Sequence, residues 1–175
     1  INPELAYEIS DYYEYIVGLI VERESGNQPF IGQLLVAEDV VSRIRSGIYG
    51  PNIDEILMLY LAEKENGRLR VYNGSKEILE ARPSVQEAVK LALSGSQVSY
   101  YLLQAVTELR NEQYGLDLDD TYYKWGALFH FAPNRILDNP KAISSRRFSR
   151  VPVSFQYYEH IFYGRWLPSS GQLIV

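Results

Sequence analysis

Residues 16–30 read Ile16-Val17-Gly18-Leu19-Ile20-Val21-Glu22-Arg23-Glu24-Ser25-Gly26-Asn27-Gln28-Pro29-Phe30, an apolar run that ends in charges, a breaker and a proline. Upstream, Leu5, Ile9, Tyr12, Ile16 and Ile20 recur at spacings of four, three, four and four, which predicts one apolar helix face. Asn2-Pro3-Glu4 supplies a cap, a proline at the first helical position and an acid near the positive end, so the helix is expected to run from there to about Arg23. Ser25-Gly26-Asn27 interrupts it, and Pro29 opens a second helix. Its stripe is Phe30, Leu34, Ala37, Val41 and Ile44, and it closes near Ser46-Gly47 with Arg43 and Arg45 in the last turn.

Outward from this pair, Gly50-Pro51-Asn52 reads as a turn and cap for a short helix over Ile53–Leu61. Periodicity fails between Glu63 and Pro83, which predicts a long surface excursion with one small strand at Leu69–Tyr72. Pro83-Ser84 starts a helix with Val85, Ala88, Val89 and Ala92 on one face, ended by Gly95, and Val98–Arg110 is read as a further helix. The character changes at Trp125. Gly126–Phe131 is short, aromatic and bounded by Gly and Pro, hence a strand, and Val151–Phe162 alternates as one strand or two. Between them, Ala132–Arg150 is a loop with five basic residues against Asp138. The fold class is α+β, a single domain over residues 1–175 with helices first and a small sheet after them.

The chain has 175 residues, 46% of them apolar and 22% charged, a globular composition. The longest relevant apolar run is six residues, far below the roughly 20 needed to cross a bilayer, so no integral membrane segment is expected. A net charge of −5 argues against general nucleic-acid binding. The absence of cysteine excludes disulfides, thiolate zinc sites, iron–sulfur clusters and cysteine nucleophiles. The sequence starts at Ile1 with no signal peptide in view, which reads as a trimmed or mature fragment. Fifteen tyrosines stand out: tyrosine suits half-polar ligands such as sugars, and equally suits amphipathic surfaces.

Several chemistries fall away. There is no Gly-rich phosphate loop and no Gly-x-Ser-x-Gly elbow. His130 and His160 share no ligand spacing, and Asp117–Asp120 fails as a calcium loop because Tyr122 and Leu128 occupy the positions that need Gly and Glu. No metal and no cofactor is expected. Glu24 remains. At the last turn of an apolar helix, the helix dipole and the adjacent core both disfavour a charged carboxylate, which suits a general acid.

The stretch Glu24–Arg43 resembles the opening motif of the SleB-type cell wall hydrolases, the spore-cortex-lytic enzymes and their relatives. Pro29, Gly32, Gln33, Ala37 and Arg43 fall in its register, and Pro51-Asn52 resembles the Pro-Asn that follows. Downstream, Gly126-Ala127-Leu128-Phe129-His130-Phe131-Ala132-Pro133 resembles the family's Gly-Ala-aromatic-Pro strand, and Glu159-His160-Ile161-Phe162-Tyr163 its His-Val-Phe-Tyr ending. The family's second Glu is Gln28 here, and the Asn before its Arg is Ser42.

The resemblance implies a lysozyme-like domain that cleaves the bond between N-acetylmuramic acid and N-acetylglucosamine, with Glu24 as general acid and base. No second carboxylate stands out, which favours the lytic transglycosylase route over hydrolysis. Ser25, Gln28 and Gln33 are candidate substrate-binding or orienting residues, Gln33 equally a buried brace. Phe129, Phe131 and Tyr158 are candidate sugar platforms, and His160 a substrate contact or a brace of the sheet. The implied partner is the peptidoglycan glycan strand, with an accessory wall-binding domain or partner protein outside this chain as a further expectation. The implied location is extracellular or the cell envelope, the spore cortex included. The rival reading is a non-catalytic wall-binding or assembly module that kept the fold.

Overall fold

A computed structural model describes residues 9–47, 49–94, 108, 111–112, 115, 123–133 and 153–168. The chain divides into two compact units, Ile1–Gly95 and Ser96–Val175. The described elements are α+β, helices with small antiparallel sheets. No helix among the described residues is long and apolar enough to cross a membrane.

In the first unit α1 (Asp11–Ser25) starts later than its periodicity predicts. Ser10 takes the N-cap, its Oγ accepting from the Tyr13 N–H at 3.4 Å, and Ile9 stays outside the helix. A Ser-Asp pair with an acid in the first turn is a stronger start signal than one apolar residue in register. The expected start at Asn2-Pro3-Glu4 lies outside the described residues, as does Leu5. Ile16 to Val21 are all buried, Gly18 included, so the helix is enclosed along this segment rather than striped.

α2 (Phe30–Ser46) ends as expected at Gly47, left-handed at φ 70°. Every residue from Gly32 to Arg45 is buried, where a one-sided stripe was expected. Gln33, Glu38, Asp39, Ser42, Arg43 and Arg45 are therefore interior groups, not a solvated face. α3 is shorter than expected, Ile53–Met58, with the Asn52 side chain accepting from the Glu55 N–H. α4 (Pro83–Ser94) buries the predicted Val85, Ala88, Val89 and Ala92. α2 packs on α1, α3 and α4, and α1 also packs on α4.

The expected excursion over Glu63–Pro83 is instead two successive hairpins. β1 (Glu63–Glu65) pairs antiparallel with β2 (Arg68–Arg70), and β3 (Tyr72–Asn73) with β4 (Lys76–Glu77). Asn66 and Gly67 are both left-handed (φ 50° and 77°), the signature of a two-residue turn matched to strand twist. The Asn-Gly pair was the available signal; its charged flanks hid the alternation.

Tyrosines tie these pieces together. Tyr12 Oη accepts from the Leu69 N–H at 2.8 Å, Tyr13 donates to Asp54 Oδ1 at 2.8 Å, and Tyr15 donates to the Leu79 carbonyl. Lys64 Nζ reaches Asp54 Oδ2 at 2.9 Å, and these partners hold the Asp54 carboxyl below its usual range.

In the second unit, β5 (Tyr123–Pro133), β6 (Val153–Tyr157) and β7 (His160–Pro168) form an antiparallel sheet in the order β5-β7-β6. β5 outruns the predicted Gly126–Phe131 at both ends, and Val151–Phe162 resolves into two strands joined at Tyr158-Glu159. Register shifts interrupt β5 between Lys124 and Ala127 and between Leu128 and His130. The expected loop beyond Pro133 lies outside the described residues, as does the expected helix Val98–Arg110 except for helical Glu108.

Candidate functional site

Glu24 is the penultimate residue of α1, with 28% of its side chain exposed. Its Oε1 accepts from Arg23 Nε at 2.9 Å and lies 2.8 Å from Nη2 in an ion pair. Arg23 is itself held from behind. Nη1 donates to the Leu61 carbonyl at 3.4 Å and Nη2 to the Tyr60 carbonyl, leaving the side chain 11% exposed. These carbonyls sit at the C-terminal end of α3, where unpaired backbone oxygens and the helix dipole favour a cation.

The turn that presents them is unusual. The Leu61 N–H bonds Met58 O at 3.0 Å and the Ala62 N–H bonds Leu57 O at 3.4 Å, a helix end that normally places glycine in the left-handed position. Leu61 occupies it at φ 61°, with 72% of its surface exposed. Leu61→Gly is expected to raise stability by about 1 kcal/mol, seen as a higher urea midpoint, because the Cβ penalty vanishes and little packing is lost. A lowered midpoint would show that the Leu61 side chain holds the turn.

Below the turn, Tyr60 is buried and donates to Asp39 Oδ2 at 2.5 Å. Burial and the Asp39 charge push the Tyr60 phenol well above its ordinary value, so it stays a donor. Arg43 Nε lies 3.8 Å from Asp39 Oδ2, and its guanidinium stacks over Tyr60 and Tyr49 at 4.6 and 5.0 Å. Arg43, matched to the motif on sequence alone, is thus a buried cation seated between two rings and a carboxylate.

The α1–α2 connection explains other motif residues. Gln33, 2% exposed, donates from Nε2 to the Gly26 and Gln28 carbonyls, both at 3.1 Å, and so pins the connection from inside. Its Oε1 has no hydrogen-bond partner among the described residues. Ser25 is buried and turns its hydroxyl back to the Val21 carbonyl at 3.1 Å. Gln28 is buried and its N–H bonds Ser25 O. As the chain stands, Ser25 and Gln33 direct their donors to main chain, which serves the shape of the connection.

Gly26 has ordinary helical angles, so its freedom is not what matters. A Cβ there would lie 2.5 Å from the Glu22 carbonyl and 2.9 Å from Glu22 Oε1. Glu22 in turn holds α4: its Oε2 accepts from the Arg82 N–H at 3.1 Å and its Oε1 pairs with Arg82 Nη2 at 2.9 Å. Gly26→Ala is expected to cost about 1–3 kcal/mol, read as a fall in the urea midpoint, since backbone must shift to admit the methyl. An unchanged midpoint would mean that the turn has slack.

The other sequence candidates lie in the second unit. Phe131 pairs with Phe162 in register, and Phe129 falls within the shift between Leu128 and His130. The side chains of Phe129 and Phe131 lie outside what is described. Tyr158, left-handed at φ 49° and exposed, tops the β6–β7 turn. His160 is buried, faces Pro133 and Tyr157 across the strands, and has its ring 6.1 Å from that of Phe162. The candidates thus form two groups: Glu24, Ser25, Gln28 and Gln33 at one helix junction, and Phe129, Phe131, Tyr158 and His160 on one sheet.

Two open grooves flank α1. One, of about 520 Å³, runs past Tyr15, Gly18, Leu79 and Val89. The other, of about 560 Å³, lies between Glu22, Arg23 and Asn27 and the hairpin residues Asn73 and Lys76. Glu24 lines neither; the polar groove comes nearest, through Arg23. No cluster of three or more potential metal ligands occurs among the described residues.

No family model, curated protein or solved structure matches this chain. The site therefore has to be read from its own residues. Sequence reasoning missed Arg23 as the partner of Glu24, because both of its anchoring carbonyls come from a turn some 37 residues on. It also missed the Asp39–Tyr60 bond, for which no local pattern exists.

Proposed function

We propose that this chain cleaves peptidoglycan glycan strands between N-acetylmuramic acid and N-acetylglucosamine as a lytic transglycosylase, with Glu24 as its single acid and base. The reading rests on the resemblance of three ordered segments to the SleB-type hydrolases. The observation that carries it is the state of the Glu24 carboxylate: Oε1 is anchored by Arg23, and Oε2 has no partner among the described residues. A carboxyl group held on one oxygen and open on the other can give and take a proton.

In the proposed reaction Oε2 gives its proton to the glycosidic oxygen as the bond to the muramyl C1 breaks. The same oxygen then accepts the proton of the muramyl 6-hydroxyl as the C1–O6 bond forms. The products are an N-acetylglucosamine-ended strand and a 1,6-anhydromuramyl end, with no water consumed. A second carboxylate, at about 5–5.5 Å for retention or about 6.5–9.5 Å for inversion, is not required. The proposal extends to a lysozyme-like arrangement of the whole chain, to an extracellular or envelope location and to action on cortex or vegetative wall.

A second reading, a wall-binding module without activity, draws on the fact that Glu24 lines neither groove. Release of soluble material from purified cortex and vegetative peptidoglycan separates the two. Clearing of either suspension supports the enzyme; pelleting of the chain with the wall, with no fragments released, supports the binding module.

A further inference from the structure

Arg23 and Glu24 are sequence neighbours, and an exposed pair of that kind contributes little. Here the guanidinium is enclosed and bonded on both sides: Nε donates to Glu24 Oε1, with Nη2 ion-paired to the same oxygen, while Nη1 and Nη2 donate to the carbonyls of Leu61 and Tyr60. Those carbonyls do not drift, because Tyr60 is bonded through its phenol to buried Asp39 and capped by the Arg43 guanidinium. The chain of contacts Asp39–Tyr60–Arg23–Glu24 carries the rigidity of the core out to the carboxylate.

We infer that Arg23 is the positioning residue of the site, fixing the Glu24 carboxyl group so that its proton resides on Oε2 alone. The inference rests on the Glu24 reading above. Arginine has donors and no acceptor. The Nε–H points at Oε1 and the charged Nη2 lies beside it, so a proton on that oxygen would weaken the bond and the ion pair. Oε2 is the only oxygen left to carry it. One oxygen must then both protonate the leaving group and deprotonate the attacking hydroxyl. A hydroxyl on the same sugar ring meets that requirement, whereas a water must find the same point independently. Arg23 thereby favours the intramolecular product over the hydrolytic one.

Lysine at position 23 keeps the charge but cannot hold the carboxylate and both carbonyls in one plane. Arg23→Lys is expected to lower kcat about a hundredfold at an unchanged KM, and to raise the share of hydrated reducing ends relative to anhydro ends. Arg23→Ala, assayed with and without millimolar guanidinium, provides the second variant. Added guanidinium is expected to restore part of the rate and the anhydro share. A capping role for α3 alone would lower the melting temperature of both variants and leave the product ratio of the folded enzyme unmoved.

Wild-type kcat and wild-type product ratio in Arg23→Lys, with Glu24→Gln inactive, would overturn the inference and leave the Glu24 reading standing. An inactive wild type, or an active Glu24→Gln, would overturn that reading and this inference with it.

Discussion

Glu24→Gln is expected to release fragments from peptidoglycan at least a thousandfold more slowly than the wild type, while melting within about 0.5 kcal/mol of it. The amide matches the carboxylate in shape and keeps an oxygen for Arg23, whose donors select it over the amide nitrogen. What it lacks is a titratable Oε2. The glycosidic oxygen then leaves without a proton and the 6-hydroxyl attacks without a base, so both halves of the reaction lose the same group. A thousandfold corresponds to about 4 kcal/mol of barrier, within the range for a positioned acid–base group. Initial rates of soluble muropeptide release test this, with urea unfolding of both proteins as the control. Wild-type rates in Glu24→Gln would remove the carboxylate from the chemistry.

The second large effect concerns stability and lies at Glu38, buried in the middle of α2. Burial pushes its carboxyl up to about 8, against an opposing pull from Arg45. In the unfolded chain the same group titrates near 4.5. Below the lower value both states hold the proton, and the residue imposes no charge-burial penalty. Between the two values the unfolded state gives up the proton while the folded state keeps it, so unfolding gains as pH rises. Above the upper value both are ionised and the penalty is complete. Stability linked to Glu38 is thus fully present below about 4.5 and lost as pH rises through about 8, the reverse of a salt-bridged carboxylate. Glu38→Gln carries a permanently neutral group. It is expected to match the wild type near pH 5 and to exceed it near pH 8.5 by a few kcal/mol, on the order of the linkage between the two values. Urea midpoints at the two pH values test the difference. Parallel pH dependences for the two proteins would show that Glu38 is ionised in the fold across the range.

Glu38 also marks where sequence reading reaches its limit. The start of α2 after Pro29, its end at left-handed Gly47 and the buried face of α4 are local, and punctuation and periodicity place them. The polar positions of α2 lie off its predicted apolar stripe, where pattern arguments assume that charge faces water. That assumption fails when tertiary partners arrive from far along the chain, as Tyr60 does for Asp39 and the Leu93 carbonyl for Arg45. The two hairpins were hidden for a related reason: Arg70 pairs with Glu65 and Glu77, so charge stabilises strands that lack apolar alternation. Glu24 was legible as a candidate from its place at the end of an apolar helix. Its clamp was not, because Arg23 is held by the carbonyl of a leucine in a conformation that the residue type argues against.

The central proposal, that one carboxyl group closes a ring within the substrate, is tested most directly by the mass of the new glycan ends. Purified peptidoglycan is digested with the chain, and the soluble fragments are weighed by mass spectrometry. Fragments ending in 1,6-anhydromuramic acid, one water lighter than hydrolysis products, are the expected result. Fragments carrying only hydrated reducing ends would contradict the single-carboxylate mechanism and require a second acid in the site.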